Sequence, residues 1–239
     1  MTDSVESLVI KTRDGANDPA VNRIVAGADV LFIAGGDQWN YINLWKGTVL
    51  DATLKGLVAR KVPFGGTSAG LAVLGQFDFS AENDTISSAQ AQSNPYDRRL
   101  RLDRDFINEL PWLAGIIADA HLVTRDRMGR LMAFLARIIK DGWVAGADMA
   151  RGIGVDEETA VVIDGGIGSV MGKGAAYFLR PTIAASTIEP KTPLTFRSVG
   201  VRRLRAGEGS FNLANWPAGV DYHLSVETGV LTSSVGSPY

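Results

Sequence analysis

The stretch VPFGGTSAGLAVLG, residues 62–75, constrains the fold of this chain more than any other. An apolar, strand-like run breaks at glycines and a serine, and small and aliphatic residues follow. This pattern is typical of a strand that turns sharply into a helix and presents Ser68 on a strained backbone. Gly66 and Gly70 leave room for the turn, because side chains there would collide. The pattern predicts a nucleophilic Ser68, with the Ala69 amide as an oxyanion donor.

Composition and local sequence limit what this turn can do. The chain has no cysteine, which excludes disulfides, thiolate metal sites and a cysteine nucleophile. A glycine-rich turn of this kind can instead bind phosphate, but the stretch lacks both G-x-x-x-x-G-K-[ST] and G-x-G-x-x-G. Two histidines far apart in the sequence give no metal-ligand pattern, so we expect neither a metal nor another cofactor.

The first half of the chain alternates strand-like and helix-like segments. Residues 28–34, ADVLFIA, form an apolar run that predicts a strand buried on both faces. Such alternation predicts a parallel α/β sheet flanked by helices, with right-handed crossovers. The other predicted strands are Ser7–Lys11, Val62–Gly65 and Leu113–Ala118, and the predicted helices are Thr48–Lys61, one that opens at Leu71–Gly75, and Met128–Lys140.

From Gly152 onward the chain consists of strand-like pieces separated by glycine-rich turns. We therefore expect one domain, residues 1–239, with an α/β core over about 7–160 and a β-rich C-terminal part over about 160–239. The polar segment Ser80–Arg104 has charges of alternating sign. It predicts a solvated surface loop, with part of a substrate wall as the alternative.

The charge balance bears on the partners of the chain. A formal net charge of −2 and a pI of about 5.7 give no electrostatic attraction for nucleic acid or an anionic membrane. The sequence begins without a basic region followed by an apolar run, and no apolar run approaches membrane-spanning length. We expect a cytoplasmic protein, with a homodimer as one assembly open to it.

A serine nucleophile needs a base, and His121 and His223 are the candidates. His121 directly follows the strand-like LAGIIAD, at a carboxyl end where open α/β sheets collect their active residues. His223 lies inside a strand-like piece, where a lone histidine is usually structural. If His223 were the base, its acidic partner would be a residue such as Asp164. His121 is favoured. The residues alone leave its acidic partner open among Asp156, Glu157, Glu158, Glu82 and Asp84.

Four motifs together resemble the cyanophycinase-like serine peptidases, which are relatives of the aspartyl dipeptidases. The motifs are GGDQ at 35–38, GTSAG at 66–70, DAHLVTRDRMGRL at 119–131 and GIGVDEETA at 152–160. The resemblance covers about residues 9–179. It implies a flavodoxin-like core, shared with class I glutamine amidotransferases, and hydrolysis of aspartyl amide bonds, which in cyanophycinases are β-aspartyl-arginine linkages of a storage polymer.

The resemblance also implies roles for individual residues. Ser68 would be the nucleophile, His121 the base and Glu157 the acid. The amide of Gly36 would join that of Ala69 in the oxyanion hole. The residues that would line or shape the substrate site are Gln38, Asp119, Arg125, Arg127 and Arg130.

Three functions follow, in order of preference. The first is a serine peptidase that takes a peptide or small amide substrate. The second is a catalytically inactive binding protein of the same fold. The third, acyl transfer of the glutamine-amidotransferase kind, ranks last because those enzymes use cysteine at the turn. Ala120 and Leu122 stand where the family usually carries glutamine and an aromatic residue, so the resemblance does not define the substrate.

Overall fold

The chain is seen here as a computed structural model that describes residues 4–107, 110–217 and 219–239. Within these ranges it forms seven α-helices, a short 3₁₀ helix at Ala147–Met149, and thirteen strands. The helices are α1 Arg13–Asn17, α2 Pro19–Ala26, α3 Gln38–Trp45, α4 Val49–Ala59, α5 Ala69–Ala72, α6 Ser88–Ser93 and α7 Met128–Lys140. The strands are β1 Leu31–Ile33, β2 Phe64–Gly66, β3 Phe77–Phe79, β4 Leu102–Arg104, β5 Ile116–Ala120, β6 Arg151–Val155, β7 Thr159–Asp164, β8 Ile167–Gly172, β9 Ala175–Arg180, β10 Phe196–Arg205, β11 Ser210–Asn212, β12 Tyr222–Glu227 and β13 Val230–Ser233.

The strands form three sheets. The largest is mixed and has the order β13-β12-β10-β9-β6-β5-β3-β4. Its β3, β5 and β6 run parallel, and its other neighbours pair antiparallel. Strands β1 and β2 form a separate parallel pair, and β11-β8-β7 forms an antiparallel sheet. The fold is thus mixed α/β, with a large sheet that contains parallel strands.

Helix α7 shows how the sequence builds the main core. Its apolar residues recur at helical spacing, so one side of the helix is buried against the large sheet. Phe134 of α7 stacks on Phe79 of β3, with ring centroids 4.9 Å apart. Each fully buried side chain of this size stabilises the fold by about 1.5–3 kcal/mol. Because α7 begins eight residues after β5 ends, this packing also fixes the turn between them.

Two smaller clusters support the remaining sheets. Helices α2 and α4 pack their apolar faces against one side of the β1–β2 pair, around Ile33 and Leu54. On the other face of the large sheet, Phe178 of β9 packs edge-on against Phe211 of β11, with ring centroids 4.7 Å apart. These contacts attach the β-rich part to the strands that carry the parallel core.

Several predicted elements are confirmed. The predicted helix Met128–Lys140 coincides with α7, and the predicted helix Thr48–Lys61 contains α4. The strands predicted near Val62–Gly65 and Leu113–Ala118 are present as β2 and β5, each shifted toward its C-terminal end. The C-terminal third consists of strands and turns, as its strand-like pieces and glycine-rich turns predict.

Two strand predictions near the N-terminus are wrong. Ser7–Lys11 forms no strand, because no neighbouring strand lies beside it to complete a ladder. The run at 28–34 is a strand only over Leu31–Ile33 and is not buried on both faces, since Val30 and Phe32 are 66% and 65% exposed. Ile33 of this strand packs into the cluster with α2 and α4, whereas Phe32, whose side chain points to the opposite side, stays exposed.

Two further predictions need correction. The helix expected to open at Leu71–Gly75 is instead the short α5, which ends at Ala72 before β3 begins. Ser80–Arg104 is not a solvated loop, because it contains α6 and β4 and buries Ile86 and Leu100 in the main core. Polar residues dominate this segment, but α6 packs them against α7, where Ser88 and Gln92 are buried.

Candidate active site

Ser68 lies on the sharp turn between β2 and α5. Its backbone has φ 53° and ψ −116°, an uncommon conformation for a residue other than glycine. A Cβ on Gly66 would lie 2.2 Å from the Gly70 carbonyl oxygen, and one on Gly70 would lie 2.1 Å from the Ile33 oxygen. No side chain fits at such distances. The steric need for both glycines, predicted from the sequence, is therefore confirmed.

His121 stands directly after β5 and faces the serine. Its Nε2 lies 2.9 Å from the Ser68 Oγ. His121 also has a positive φ of 56°, so the chain turns abruptly at the strand end and directs the imidazole toward β2. Helix α5 packs against β5, which brings the two turns together although β2 does not belong to the large sheet.

Glu157 completes a chain of hydrogen bonds. Its Oε1 lies 2.7 Å from the His121 Nδ1. An ionised carboxylate only accepts hydrogen bonds, so Nδ1 carries the proton. In the neutral imidazole the Nε2 is then the acceptor for the Ser68 hydroxyl. We call these three residues the Ser68–His121–Glu157 chain.

The geometry separates the three neighbouring acids that the sequence leaves open. The Asp156 carboxylate accepts hydrogen bonds from the Val123 and Ala175 amides, and therefore braces the backbone. Glu158 forms an exposed ion pair with Lys173 at 2.6 Å. Glu157 alone of the three contacts His121.

The more distant candidates lie elsewhere. Glu82 pairs with Arg101 at 3.4 Å, and Asp84 accepts a hydrogen bond from the Thr85 amide. His223 is an exposed residue of β12 whose amide donates to Ser234, and no hydrogen bond joins its ring to Ser68 within the described residues, so the geometry favours His121 over His223.

Parallel pairing brings His121 and Glu157 together. The register of β5 and β6 places Ala120 opposite Val155, so both strands end at the same edge of the sheet. The Leu122 amide donates to the Val155 carbonyl and continues this alignment past the strand ends. Both candidate residues thus lie at the carboxyl ends of parallel strands, where open α/β sheets collect their active residues.

Two backbone amides are available beside Ser68. Among the residues that the structure describes, neither the Ala69 nor the Gly36 amide donates a hydrogen bond. A Cβ on Gly35 would lie 3.2 Å from the Ser68 Cβ, so the turn at residues 35–36 passes close to the serine. The Tyr41 hydroxyl donates to the Ala34 and Gly35 carbonyls and holds this turn in place.

Asp119 and Arg130 form a buried ion pair behind the turn. The guanidinium donates from Nε and Nη2 to the two carboxylate oxygens at 2.7 and 2.6 Å. The two residues are 4% and 2% exposed, and Arg130 lies over the Phe79 and Phe134 rings. Their burial means that they hold the β5–α7 connection from within, and their predicted role in shaping the substrate site stays a prediction.

Arg127 and Arg125 occupy different environments. Arg127 donates to the Ala120 carbonyl at 2.7 Å and lies 3.6 Å from Asp119. Burial lowers the pKa of its guanidinium to about 10, although Asp119 opposes that effect. Arg125 is exposed, and its guanidinium has no hydrogen bond or ion pair within the described residues. Arg125 is thus the arginine of the motif that is free to meet a ligand.

Gln38 begins α3 beside a cleft of about 340 Å³. Its amide donates to the Phe79 carbonyl at 3.1 Å and ties α3 to β3. Trp39 and Ser80, which follow these two residues in sequence, both line the cleft. Its other lining residues are Ile42, Asn43, Lys46, Glu82, Arg101, Leu102 and Asp103. The segment expected as a possible substrate wall thus contributes one side of this cleft.

Sequence reasoning missed two residues that brace the His121 turn. The Tyr239 hydroxyl donates to the Asp126 carboxylate at 2.7 Å and accepts from the Met128 amide at 3.2 Å. Ser88 donates to the Asp126 carbonyl and accepts from the Arg130 amide. No local pattern could reveal these contacts, because the partners lie about 40 and 110 residues apart.

Among the described residues, no helix is long and apolar enough to cross a membrane. In the same part of the chain, no three His, Asp or Glu side chains are grouped as metal ligands would be.

The amino-acid sequence of this chain is similar to those of known proteins. The model of Peptidase family S51 matches residues 4–95, which include Ser68 but not His121 or Glu157. Two curated cyanophycinases, from Trichormus variabilis and a Nostoc species, are each 29% identical over 213 residues, covering 86% of this chain and 64% of theirs. A cyanophycinase from Synechococcus elongatus is 26% identical over 210 residues, covering 85% of this chain and 59% of its own.

The chain thus spans less than two thirds of the length of these relatives. A crystal structure of a peptidase from an acI-B1 Actinobacterium aligns with 85% of this chain and 67% of its own, with a TM-score of 0.48 and 17% identity.

Proposed function

We propose that this chain is a member of the cyanophycinase-like serine peptidases and a serine-type peptidase that cleaves amide bonds of aspartyl residues. The observation that carries the proposal is the Ser68–His121–Glu157 chain, with contacts of 2.9 and 2.7 Å. A nucleophile, a base and an orienting acid in this order are the arrangement of serine hydrolases on several unrelated folds. Sequence similarity to curated cyanophycinases supports it independently.

The proposed reaction proceeds in two halves. His121 Nε2 removes the hydroxyl proton as Ser68 Oγ attacks the amide carbon. Glu157 holds the imidazole in the tautomer that can accept this proton, and stabilises the imidazolium that forms. The imidazolium then protonates the leaving amine, and the acyl group stays on Ser68. Water, deprotonated by His121, releases the acid and restores the serine.

The negative charge that forms on the carbonyl oxygen needs donors. The Ala69 and Gly36 amides flank Ser68 and are the proposed pair, since neither has an acceptor within the described residues. Fixed amides of this kind stabilise the transition state more than the ground state, and the loss of one costs about 2.7–4 kcal/mol in known cases.

The proposed substrate is an aspartyl peptide, with the β-aspartyl linkage of cyanophycin as one member of the class. The names of the curated relatives support this choice. The cleft beside Gln38 carries both signs of charge, as two ion pairs, Lys46–Asp103 at 2.8 Å and Arg101–Glu82 at 3.4 Å, whose members a zwitterionic ligand could contact. Such a lining suits a peptide that has both amino and carboxylate groups. Arg125, whose guanidinium is uncommitted, would add a cation near His121.

The finer architecture is also a proposal. We propose that β1, β2, β3, β5 and β6 correspond to the parallel strands of a flavodoxin-like core. The parallel pairing within β1–β2 and within β3–β5–β6, and the packing of α5 against β5, support this reading.

The experiment compares wild type with Ser68→Ala on a panel of α-aspartyl and β-aspartyl dipeptides, including β-aspartyl-arginine, with release of the free amino acid as readout. We expect turnover of at least one aspartyl dipeptide and a loss of several orders of magnitude in the variant. Retained turnover in Ser68→Ala would refute the serine mechanism. Tight ligand binding without turnover, unchanged by the substitution, would support the inactive binding protein instead.

A further inference from the structure

Three arginines lie on one face of the large sheet, far from Ser68. The register of β9 and β10 places Arg180 opposite Gly200, and Arg202 opposite Phe178 on the same face. Gly152 pairs with Leu179, so the continued antiparallel register of β6 and β9 places Arg151 opposite Arg180. Like charges directly opposite each other destabilise a sheet. Three neighbouring strands therefore bring their cationic side chains together without an apparent structural benefit.

Two of these side chains, Arg180 and Arg202, line a cavity of about 160 Å³. Gly200, which pairs with Arg180, and Val220, which packs over it, also line the cavity. The segment that follows β11 covers it with Asn215, Trp216 and Pro217. A water molecule takes up about 30 Å³ of liquid, so the cavity has room for a small polyatomic ion and a few waters.

Donors without acceptors lie at this cavity and behind it. Trp216 is only 3% exposed, it lines the cavity, and its indole Nε1 has no hydrogen-bond partner. The Nε atoms of Arg180 and Arg151 are also buried without a partner. A buried donor left unpaired destabilises the fold, so such groups usually serve a water or a ligand. All three are donors, which indicates a ligand that accepts hydrogen bonds.

The carboxylates nearby do not balance the arginines. Arg202 pairs with Asp221 at 2.5 Å, but Arg180 lies 3.7 Å from the exposed Asp148. Arg151 has no carboxylate partner within the described residues and stacks 5.2 Å from the Trp216 ring centroid. Its one side-chain hydrogen bond there is a long contact of 3.5 Å with the Leu213 carbonyl.

The pKa of Arg151 reflects this excess of positive charge. Burial lowers the pKa of the Arg151 guanidinium, the neighbouring Arg180 lowers it further, and Asp148 only partly offsets both. An anion between the guanidinium groups would remove the repulsion.

We propose that this cavity is a binding site for a small oxyanion, with Arg180, Arg202 and the Trp216 indole as donors and Arg151 behind them. Its chemistry suits phosphate or a carboxylate, since guanidinium groups bind both through paired hydrogen bonds. The site is separate from the proposed peptidase centre. Arg151 begins β6 and Glu157 follows its other end, which at ~3.3 Å per residue places them roughly 20 Å apart.

The test is calorimetric titration with inorganic phosphate and, in a second arm, succinate, at pH 7.5 with sodium chloride added to hold ionic strength constant. We expect saturable binding of at least one anion to wild type. Arg180→Gln should weaken it about tenfold or more, because a charge-assisted contact contributes about 1.5–3 kcal/mol. Preference for phosphate or for succinate identifies the kind of oxyanion that the site takes.

Arg203→Gln is the matched control. It removes the same charge from the adjacent position of β10, whose side chain lies on the opposite face, and should leave the affinity unchanged. Trp216→Phe keeps an aromatic side chain but removes the N–H donor together with part of the indole, so it should weaken binding several-fold even if Arg180→Gln does not fold. Ser68→Ala should bind as wild type does, which keeps this test independent of the peptidase proposal.

Absence of saturable binding of both anions to wild type would overturn the proposal, and water alone would then satisfy the donors. An equal loss in Arg203→Gln would also overturn it, because the effect would then reflect net charge and not this cavity.

Discussion

Replacement of Glu157 by glutamine tests the most exposed contact of the proposed site, because the Glu157 side chain is 46% exposed to solvent. The contact with His121 is 2.7 Å long, and a charged acceptor makes such a hydrogen bond worth about 1.5–3 kcal/mol. When the imidazolium forms, the attraction between opposite charges about 4 Å apart adds ~1 to 4 kcal/mol, depending on how far water screens it. The partly exposed position argues for the lower part of both ranges.

Together the lower parts of these ranges amount to about 2.5–4 kcal/mol of transition-state stabilisation, which corresponds to a loss of about 70-fold to 1,000-fold in rate. The glutamine amide can also donate to Nδ1, which would place the imidazole proton on Nε2 and remove the acceptor for Ser68. The assay is the second-order rate of Ser68 modification by a fluorophosphonate, followed by loss of unlabelled protein in intact-mass spectra. This readout needs no knowledge of the substrate.

Glu158→Gln is the control for the same experiment. It makes the same chemical change one residue away, where the side chain pairs with Lys173 at the surface, and should alter the rate less than threefold. A Glu157→Gln protein that is folded and reacts within threefold of wild type would refute the orienting role of Glu157. Equal losses in both variants would point to a general effect of charge on the turn.

Three further predictions concern stability, measured by urea unfolding. Arg130→Met should lower the free energy of unfolding by about 3–5 kcal/mol, because it leaves a buried carboxylate unpaired; a loss under 1 kcal/mol would contradict this. Gly66→Ala should prevent folding or cost several kcal/mol, since its Cβ would meet the Gly70 oxygen at 2.2 Å. Gly56→Ala, in the open interior of α4, should instead stabilise by about 1 kcal/mol, and similar effects of both would refute the steric argument. Asp78 is fully buried with both oxygens unpartnered, and burial raises its pKa well above the ordinary value. The folded state therefore holds this proton more tightly, and stability falls as pH rises from about 4 toward the folded pKa. Asp78→Asn should accordingly gain stability relative to wild type between pH 4.5 and pH 7.5, and an unchanged difference would show that Asp78 is not protonated.

The sequence predicts elements well where the signal is local. Helix α7 has helical periodicity over thirteen residues, and its ends coincide with the prediction. The turn at Ser68 can also be predicted from local sequence. Side chains at Gly66 and Gly70 would clash with backbone atoms of the turn itself or of the adjacent strand β1. The burial of β1, in contrast, cannot be predicted from the local sequence. Whether Phe32 is covered depends on which elements pack on the second face of the β1–β2 pair, and no pattern inside residues 28–34 contains that information.

Some residues of the candidate site can likewise be predicted from local sequence, and others cannot. Ser68 and His121 can be proposed from their positions at strand ends, but the choice of Glu157 among three adjacent acids rests on resemblance in the sequence and on geometry in the structure. The buried state of Arg130 could not be predicted, because a basic residue near a helix start usually faces water. The bracing role of Tyr239 depends on a contact across 111 positions of sequence.

The most direct test of the central claim is to map the site of a fluorophosphonate adduct by peptide mass spectrometry in wild type, Ser68→Ala and His121→Ala. Ser68 lies 2.9 Å from the His121 Nε2, so the account predicts one adduct, on Ser68. It also predicts no adduct in the folded Ser68→Ala protein and labelling slowed by at least 100-fold in His121→Ala. A stoichiometric adduct on another residue, or none in a folded wild-type protein, would contradict the assignment of Ser68 as the nucleophile.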